Sequence, residues 1–281
     1  NDLHQEKLSM VELVIADIDG TFRGFVRTFG DINRKALQLC HQKGIRLAVA
    51  SGRPLWQELE DHAKEWNLGF QFDLIIGMNG GQIFDTVKNT KKEIHLLTPA
   101  QLELIVHALH DFDLNPFVYR DGYSLVLHMD EEMVQSGKRH HSRIEICQQE
   151  SDLYSIPTGK ILYRTPTEKI ALEVEHVGKQ LSGEISCFRT GPTLVEFQSV
   201  FNNKGEALAQ YCRENNIDIR NTLAFGDAEN DMEMLQMAGK GVAVKNALEP
   251  VKKIADEVTA YTAGEDGVGR YLLDRLHLEG E

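Results

Sequence analysis

The sequence predicts an α/β protein in which a parallel-sheet domain is interrupted by a second, α+β module. Three observations carry this. Buried-strand and helix patterns alternate over the first 85 residues, the rhythm of parallel strands joined by crossover helices. The alternation gives way near Asp85 to hairpin and antiparallel signals and returns beyond Phe201. The length, 281 residues, suits two ordinary domains. The expected division is a core of 1–85 and 191–281 around an inserted module of 86–190.

The apolar run 11–16 reads as a buried strand that breaks at Asp17-Ile18-Asp19-Gly20-Thr21, leaving two carboxylates at its carboxyl end. A helix is expected over 33–43, with Ala36, Leu37, Leu39 and Cys40 on its apolar side and Gly44 placed to stop it. The next strand, 45–50, ends in Ser51-Gly52-Arg53-Pro54. Pro54 suits the first turn of a helix carrying Leu55, Leu59, Ala63 and Trp66 at helical spacing. In the inserted module Thr98-Pro99-Ala100-Gln101 opens a helix with a capping box, and Asp121-Gly122 turns a hairpin between Pro116 and His128. Residues 129–157 read as looser, followed by a strand at 160–163, a helix over 168–181 and strands at 185–189 and 193–197. The parallel pattern resumes with a helix from Lys204, a strand at 222–225, a helix over 230–237 and a strand at 241–244. The polar stretch 263–269 reads as a loop before a closing helix.

Thirty Lys and Arg against 43 Asp and Glu give a net charge of −13, a field that repels nucleic acid and anionic membranes, so neither is an expected partner. No apolar run approaches the roughly 20 residues of a membrane helix. Residues 1–9 lack the basic start and apolar stretch of a secretory signal. Cys40, Cys147, Cys187 and Cys212 stand far apart without a C-x-x-C pair, which fits reduced thiols and a cytoplasmic location.

Ligands of open parallel sheets bind at the carboxyl edge of the strands. Asp17, Asp19, Ser51, Gly52, Asp227 and Asp231 are expected there, and Lys204, opening a helix, reaches the edge from the side. Carboxylates without His or Cys make a hard oxygen site that suits Mg²⁺ together with a phosphate oxygen. The Ser51 hydroxyl, the Gly52 amide and the Lys204 ammonium supply the donors and positive charge a phosphoryl group needs. A carboxylate can attack phosphorus directly, which makes Asp17 the candidate nucleophile. Asp19, two residues on, is placed to protonate the leaving oxygen and then deprotonate water. Taken singly, each segment has a plainer reading: an Asp-Gly turn, a helix cap, a surface lysine, first-turn acids on a helix dipole. Their order in one chain points instead to phosphoryl transfer.

These segments, Asp17-Ile-Asp-Gly-Thr21, Ala50-Ser-Gly-Arg-Pro54, Asn203-Lys-Gly205 and Gly226-Asp-Ala-Glu-Asn-Asp231, resemble the four motifs of the haloacid dehalogenase superfamily. The tail resembles its Cof-type branch through 226–235, Val242-Ala-Val-Lys-Asn-Ala247 and Asp266-Gly-Val268. The resemblance implies a Rossmann-like core with a type-IIB cap inserted between the second and third motifs. It implies a Mg²⁺-dependent phosphatase of small phosphorylated metabolites, a sugar phosphate or a phosphorylated cofactor, working through an aspartyl-phosphate. Carried onto this chain, Asp17 is the nucleophile and Asp19 the acid/base. The metal ligands are the carboxylates of Asp17 and Asp227 and the main-chain carbonyl of Asp19. Ser51, Gly52 and Lys204 bind the phosphoryl group, Asn230 contacts it or the nearby substrate, and Asp231 stands behind the ligands.

Two positions depart from the pattern. Asn203 stands where an acidic residue often precedes the lysine. Phe22-Arg23 stands where two apolar residues are common, so Arg23 is either a substrate contact or a solvated residue. In the cap, Lys138, Arg139, His140, His141 and Arg143 either draw anionic substrates or form a solvated face, and Tyr119, Arg120 and Tyr123 flank the hairpin turn as candidate leaving-group contacts. Two other functions fit the motifs: a phosphosugar mutase, and a non-catalytic phosphometabolite-binding protein. Retention of both Asp17 and Asp19 favours catalysis, since a binding protein has no use for an acid/base.

Overall fold

Strand β1 (Leu13–Asp17), buried at every position, lies inside an eight-stranded sheet. The computed structural model describes residues 11–24 and 28–278. On one side of β1 the sheet continues through parallel β2 (Arg46–Ala50) and β3 (Leu74–Gly77), then antiparallel β4 (Gln82–Asp85) and β5 (Thr90–Glu93) at the edge. On the other side follow parallel β12 (Thr222–Gly226), β13 (Lys240–Ala243) and β14 (Glu257–Val258). The central strands are runs of Leu, Val, Ile and Ala buried on both faces, as a parallel sheet covered by helices requires.

Helix α1 (Asp31–Gln42) packs on the closing helix α10 (Gly267–Arg275). Buried Asn33 joins the two to the turn after β1: its Nδ2 donates to the Phe22 carbonyl at 3.0 Å, and its Oδ1 accepts the Gly269 N–H at 2.7 Å. Helix α1 begins two residues before the predicted start, because Asp266, remote in sequence, accepts the Ile32 N–H at 3.1 Å and satisfies the helix end. The helix predicted from Pro54 is displaced and broken into α2 (Gln57–Glu60) and α3 (His62–Glu65). The cause is tertiary. The Arg53 carbonyl accepts the Met78 N–H at 2.7 Å, and the Leu55 N–H is taken by Gln82 Oε1 at 2.7 Å, so 51–55 cannot wind into a helix.

The second sheet has six strands in the order β10 (Ile185–Gly191), β11 (Leu194–Ser199), β9 (Lys160–Arg164), β6 (Phe117–Arg120), β7 (Tyr123–Val126), β8 (Arg143–Ile146). All neighbours are antiparallel except β7 and β8. One face is covered by α4 (Pro99–Ala108), opened by the Thr98 and Gln101 capping box, and by α6 (Glu168–Lys179). Leu102, Ile105, Ala171 and Val174 pack there with Val118, Ile161, Val195 and Phe197. The stretch expected to be loose holds α5 (Glu131–His140) and β8. Asp130 caps α5 by accepting the Met133 N–H at 2.7 Å, acids fill the first turn, and Lys138, Arg139 and His140 fill the last. That charge order complements the helix dipole, which accounts for this basic run.

One compact unit ends at Lys92 and resumes at Asn203, and the other runs Glu93–Asn202. These limits differ from the expected 85/86 and 190/191, because the first would strip β5 from the large sheet and the second would part β11 from β9 and β10. The four cysteines are free thiols, and among the described residues no helix is long and apolar enough to cross a membrane.

Asn33→Leu leaves a buried carbonyl and a buried N–H without partners and is expected to lower unfolding free energy by about 1–3 kcal/mol. A urea midpoint equal to that of the wild type would contradict this bracing role.

Candidate active site

Helix α7 (Lys204–Glu214) starts with the residue that organises the site. Asn203 caps it, its Oδ1 accepting the Glu206 N–H at 2.8 Å, so an amide does the capping work that an acidic residue would do there. The Lys204 side chain is fully buried, and its Nζ donates to Asp17 Oδ1 at 2.5 Å and Asp231 Oδ1 at 2.7 Å. Burial alone would pull the lysine pKa down, but the two carboxylates outweigh it and hold the ammonium above its ordinary value. Asp231 Oδ2 accepts the N–H groups of Asp227 and Ala228 at 2.9 and 3.1 Å, so this carboxylate ties the loop after β12 to the lysine.

Asp227 Oδ1 accepts the Thr21 hydroxyl at 2.7 Å. The turn after β1 passes so close that a Cβ on Gly20 (φ +91°) would stand 2.3 Å from Asp227 Oδ2, which only glycine permits. Asp17, Asp227 and Asp231 each offer a carboxylate oxygen within 4.8 Å of the others. Burial, reinforced by Asp231, lifts the Asp227 carboxyl to about 6. Burial, with Asp231 adding and Lys204 opposing, raises Asp17 well above the usual carboxylate range. Three crowded carboxylates share one ammonium, and the donors are all oxygen, so a hard divalent cation fits the electrostatics and chemistry of the cluster. Since Asp231 already accepts three hydrogen bonds, Asp17 and Asp227 are the carboxylates that would hold the ion.

Asp19 is set differently. Its side chain is 42% exposed and lies between two guanidiniums, Arg23 Nε on Oδ1 at 2.9 Å and an Arg53 terminal nitrogen on Oδ2 at 2.8 Å. The Ile18 carbonyl gathers the N–H groups of Phe22 and Arg23, both at 3.1 Å, folding the chain so that Arg23 returns to Asp19.

Ser51 and Gly52 follow β2, next to β1 in the sheet. The Ser51 hydroxyl oxygen accepts the Arg53 N–H at 3.1 Å. A Cβ on Gly52 would stand 2.9 Å from Asn79 Oδ1, and that same oxygen accepts the Asn230 side-chain amide at 3.1 Å. Asn79 was not among the sequence candidates. It is buried at positive φ (58°) just past β3, and the usable signal is an Asn-Gly-Gly turn closing a buried strand on the same sheet edge.

The structure therefore joins Asp17, Lys204, Asp227 and Asp231 in one network, links Gly52 to Asn230 through Asn79, and holds Asp19 through Arg23 and Arg53. The other candidates lie in the second unit. There Arg120 donates to the Asp152 carbonyl at 3.2 Å, and the Arg143 guanidinium lies 5.0 Å from the Tyr123 ring centre.

A sequence model of the family described as haloacid dehalogenase-like hydrolase matches residues 14–272. The chain is 30% identical to phosphoglycolate phosphatase of Methanopyrus kandleri over 264 residues, covering 94% of this chain and 96% of that one. It is 27% identical to the 5-amino-6-(5-phospho-D-ribitylamino)uracil phosphatase YcsE of Bacillus subtilis over 262 residues, covering 92% and 94%. A solved haloacid dehalogenase-like hydrolase from Bacteroides thetaiotaomicron superposes with a TM-score of 0.82 at 26% identity, covering 94% and 98%.

Asp231→Ala strips a partner from a buried ammonium and an acceptor from two N–H groups, and is expected to cost about 3–5 kcal/mol of stability. Asp231→Asn keeps an acceptor and should cost less. Denaturant unfolding of both variants checks this, and a wild-type midpoint for Asp231→Ala would refute it.

Proposed function

Because the chain belongs to the haloacid dehalogenase-like hydrolase family, we propose that it hydrolyses monoesters of small phosphorylated metabolites with Mg²⁺, through an aspartyl-phosphate on Asp17. The observation that carries this is the buried ammonium of Lys204 bridging Asp17 and Asp231. It holds one oxygen of Asp17 at the carboxyl end of β1, and the proposed attack falls to the other.

The Ser51 hydroxyl, the Gly52 N–H and Lys204 bind the phosphoryl oxygens, and Asn230, held by Asn79, stands beside them. Asp17 Oδ2 attacks phosphorus in line while Asp19 gives its proton to the leaving ester oxygen, so the P–O ester bond breaks as the acyl-phosphate bond forms. Asp19 then takes a proton from water, whose oxygen attacks the same phosphorus, releasing inorganic phosphate and restoring Asp17. Bound Mg²⁺, held by the carboxylates of Asp17 and Asp227 and the main-chain carbonyl of Asp19, supplies neutralising charge for the phosphoryl group. Water as the final acceptor, rather than a sugar hydroxyl, is supported by the hydrolase family and by the relatives named as phosphatases of small metabolites. Four free thiols support a reducing, cytoplasmic setting.

Hydrolysis of p-nitrophenyl phosphate is expected to need Mg²⁺, to stop with EDTA and to return with added metal. Asp17→Asn should lower kcat by roughly a thousandfold or more with the circular dichroism spectrum unchanged. Turnover at the wild-type rate in that variant would overturn the assignment.

A further inference from the structure

The reaction outlined above leaves one buried cation of the site unused. The Arg23 side chain is only 9% exposed, and its Nε donates to Asp19 Oδ1 at 2.9 Å. Among the described residues its two terminal amino groups have no hydrogen-bond partner. Arg53, the other guanidinium on Asp19, is committed at both ends, one terminal nitrogen on Asp19 and the other on Glu58 at 2.6 Å. The Asp19 carboxylate thus serves both guanidiniums, and Glu58 binds Arg53. Burial, with the charges of Arg23 and Arg53 adding, lowers the pKa of buried His62, which disfavours a further positive charge beside the two guanidiniums. The side chain is held nearly buried by Asp19 while its terminal amino groups are unmatched by acceptors among the described residues, which leaves them for an anion. Its two terminal amino groups match the paired oxygens of a carboxylate or phosphoryl group.

We propose that Arg23 binds a second anionic group of the substrate, carried on the leaving group within two or three bonds of the ester oxygen. The inference rests on the proposed function, because it takes Asp19 as the acid that serves that oxygen. Arg23 is bonded to Asp19 itself, so its free fork reaches only atoms next to the scissile bond. The preferred substrates are therefore phosphate esters whose leaving group is a short hydroxy acid or a short alcohol bearing a second phosphoryl or phosphono group, rather than a neutral alcohol. At this position, where apolar residues are common in the resembling branch, the chain holds a charge that selects among leaving groups.

The test compares kcat/KM, with Mg²⁺, for phosphoglycolate (carboxylate), the O-phosphate of hydroxymethylphosphonate (phosphono) and ethyl phosphate (neutral) in the wild type, Arg23→Leu and Arg23→Lys. The wild type is expected to favour at least one anionic leaving group over ethyl phosphate by on the order of 100-fold. Whichever is favoured identifies the source of the anion. Arg23→Leu should bring that ratio close to one, and Arg23→Lys should restore part of it. A ratio unchanged in Arg23→Leu, or an equal loss on all three esters, overturns the proposal, the latter because it leaves Arg23 only the task of holding Asp19. If Arg23→Leu does not fold, the wild-type ratio and the Arg23→Lys protein decide in the same way. Turnover of p-nitrophenyl phosphate without the preference overturns this inference alone. Absence of turnover on every ester overturns the proposed function and this inference with it.

Discussion

A single ammonium, that of Lys204, buried between the carboxylates of Asp17 and Asp231, is the constraint from which the site follows. An ammonium withdrawn from water needs anions on it, and carboxylates that close together need a cation between them. The sheet order meets both needs by setting β1 beside β12, so that Asp17 and the loop carrying Asp227 and Asp231 emerge at neighbouring strand ends. Helix α7 then delivers the lysine from its first residue. Stability and chemistry here rest on the same bonds, because the contact that prevents an uncompensated buried charge also orients the carboxylate proposed to attack phosphorus.

The remaining electrostatics favour a metal. One lysine does not neutralise three carboxylates, and the raised proton affinities of Asp17 and Asp227 are the sign of that imbalance. A divalent cation relieves the same crowding that protons otherwise would. The backbone contributes through closeness: Gly20 lets the turn after β1 lie against Asp227, and Gly52 lets the loop after β2 lie against Asn79. The strand order brings these stretches to one edge, and the two glycines let the loops after β1 and β2 close on their neighbours without a Cβ between them.

The placement of Asp17, Asp19, Ser51, Gly52, Asp227 and Asp231 was legible in the sequence because parallel strands bring their carboxyl ends to one edge and short runs following buried segments mark those ends. Lys204 was read as opening a helix beside that edge, and Asn230 only through the family resemblance. What escaped was held by contacts distant in sequence. Pro54 reads as a helix start until the Arg53 carbonyl and the Leu55 N–H are seen to bond with Met78 and Gln82. Asn79 belongs to no motif, and its role comes from a positive φ and a bond to a residue 151 positions away. Helix α5 was hidden in a polar stretch whose cap, Asp130, and dipole-matched ends are local signals that its low apolar content obscured. The placement of Arg23 depends on a backbone fold around the Ile18 carbonyl that residue types alone do not specify.

The most direct measurement is chemical trapping of the intermediate. Enzyme quenched in acid during turnover and reduced with borohydride should yield homoserine at position 17, found by mass spectrometry of the peptide containing Asp17. No such product should form without substrate. Active turnover with Asp17 recovered unmodified, or with the reduced residue at another position, would contradict nucleophilic attack by the carboxylate that Lys204 holds.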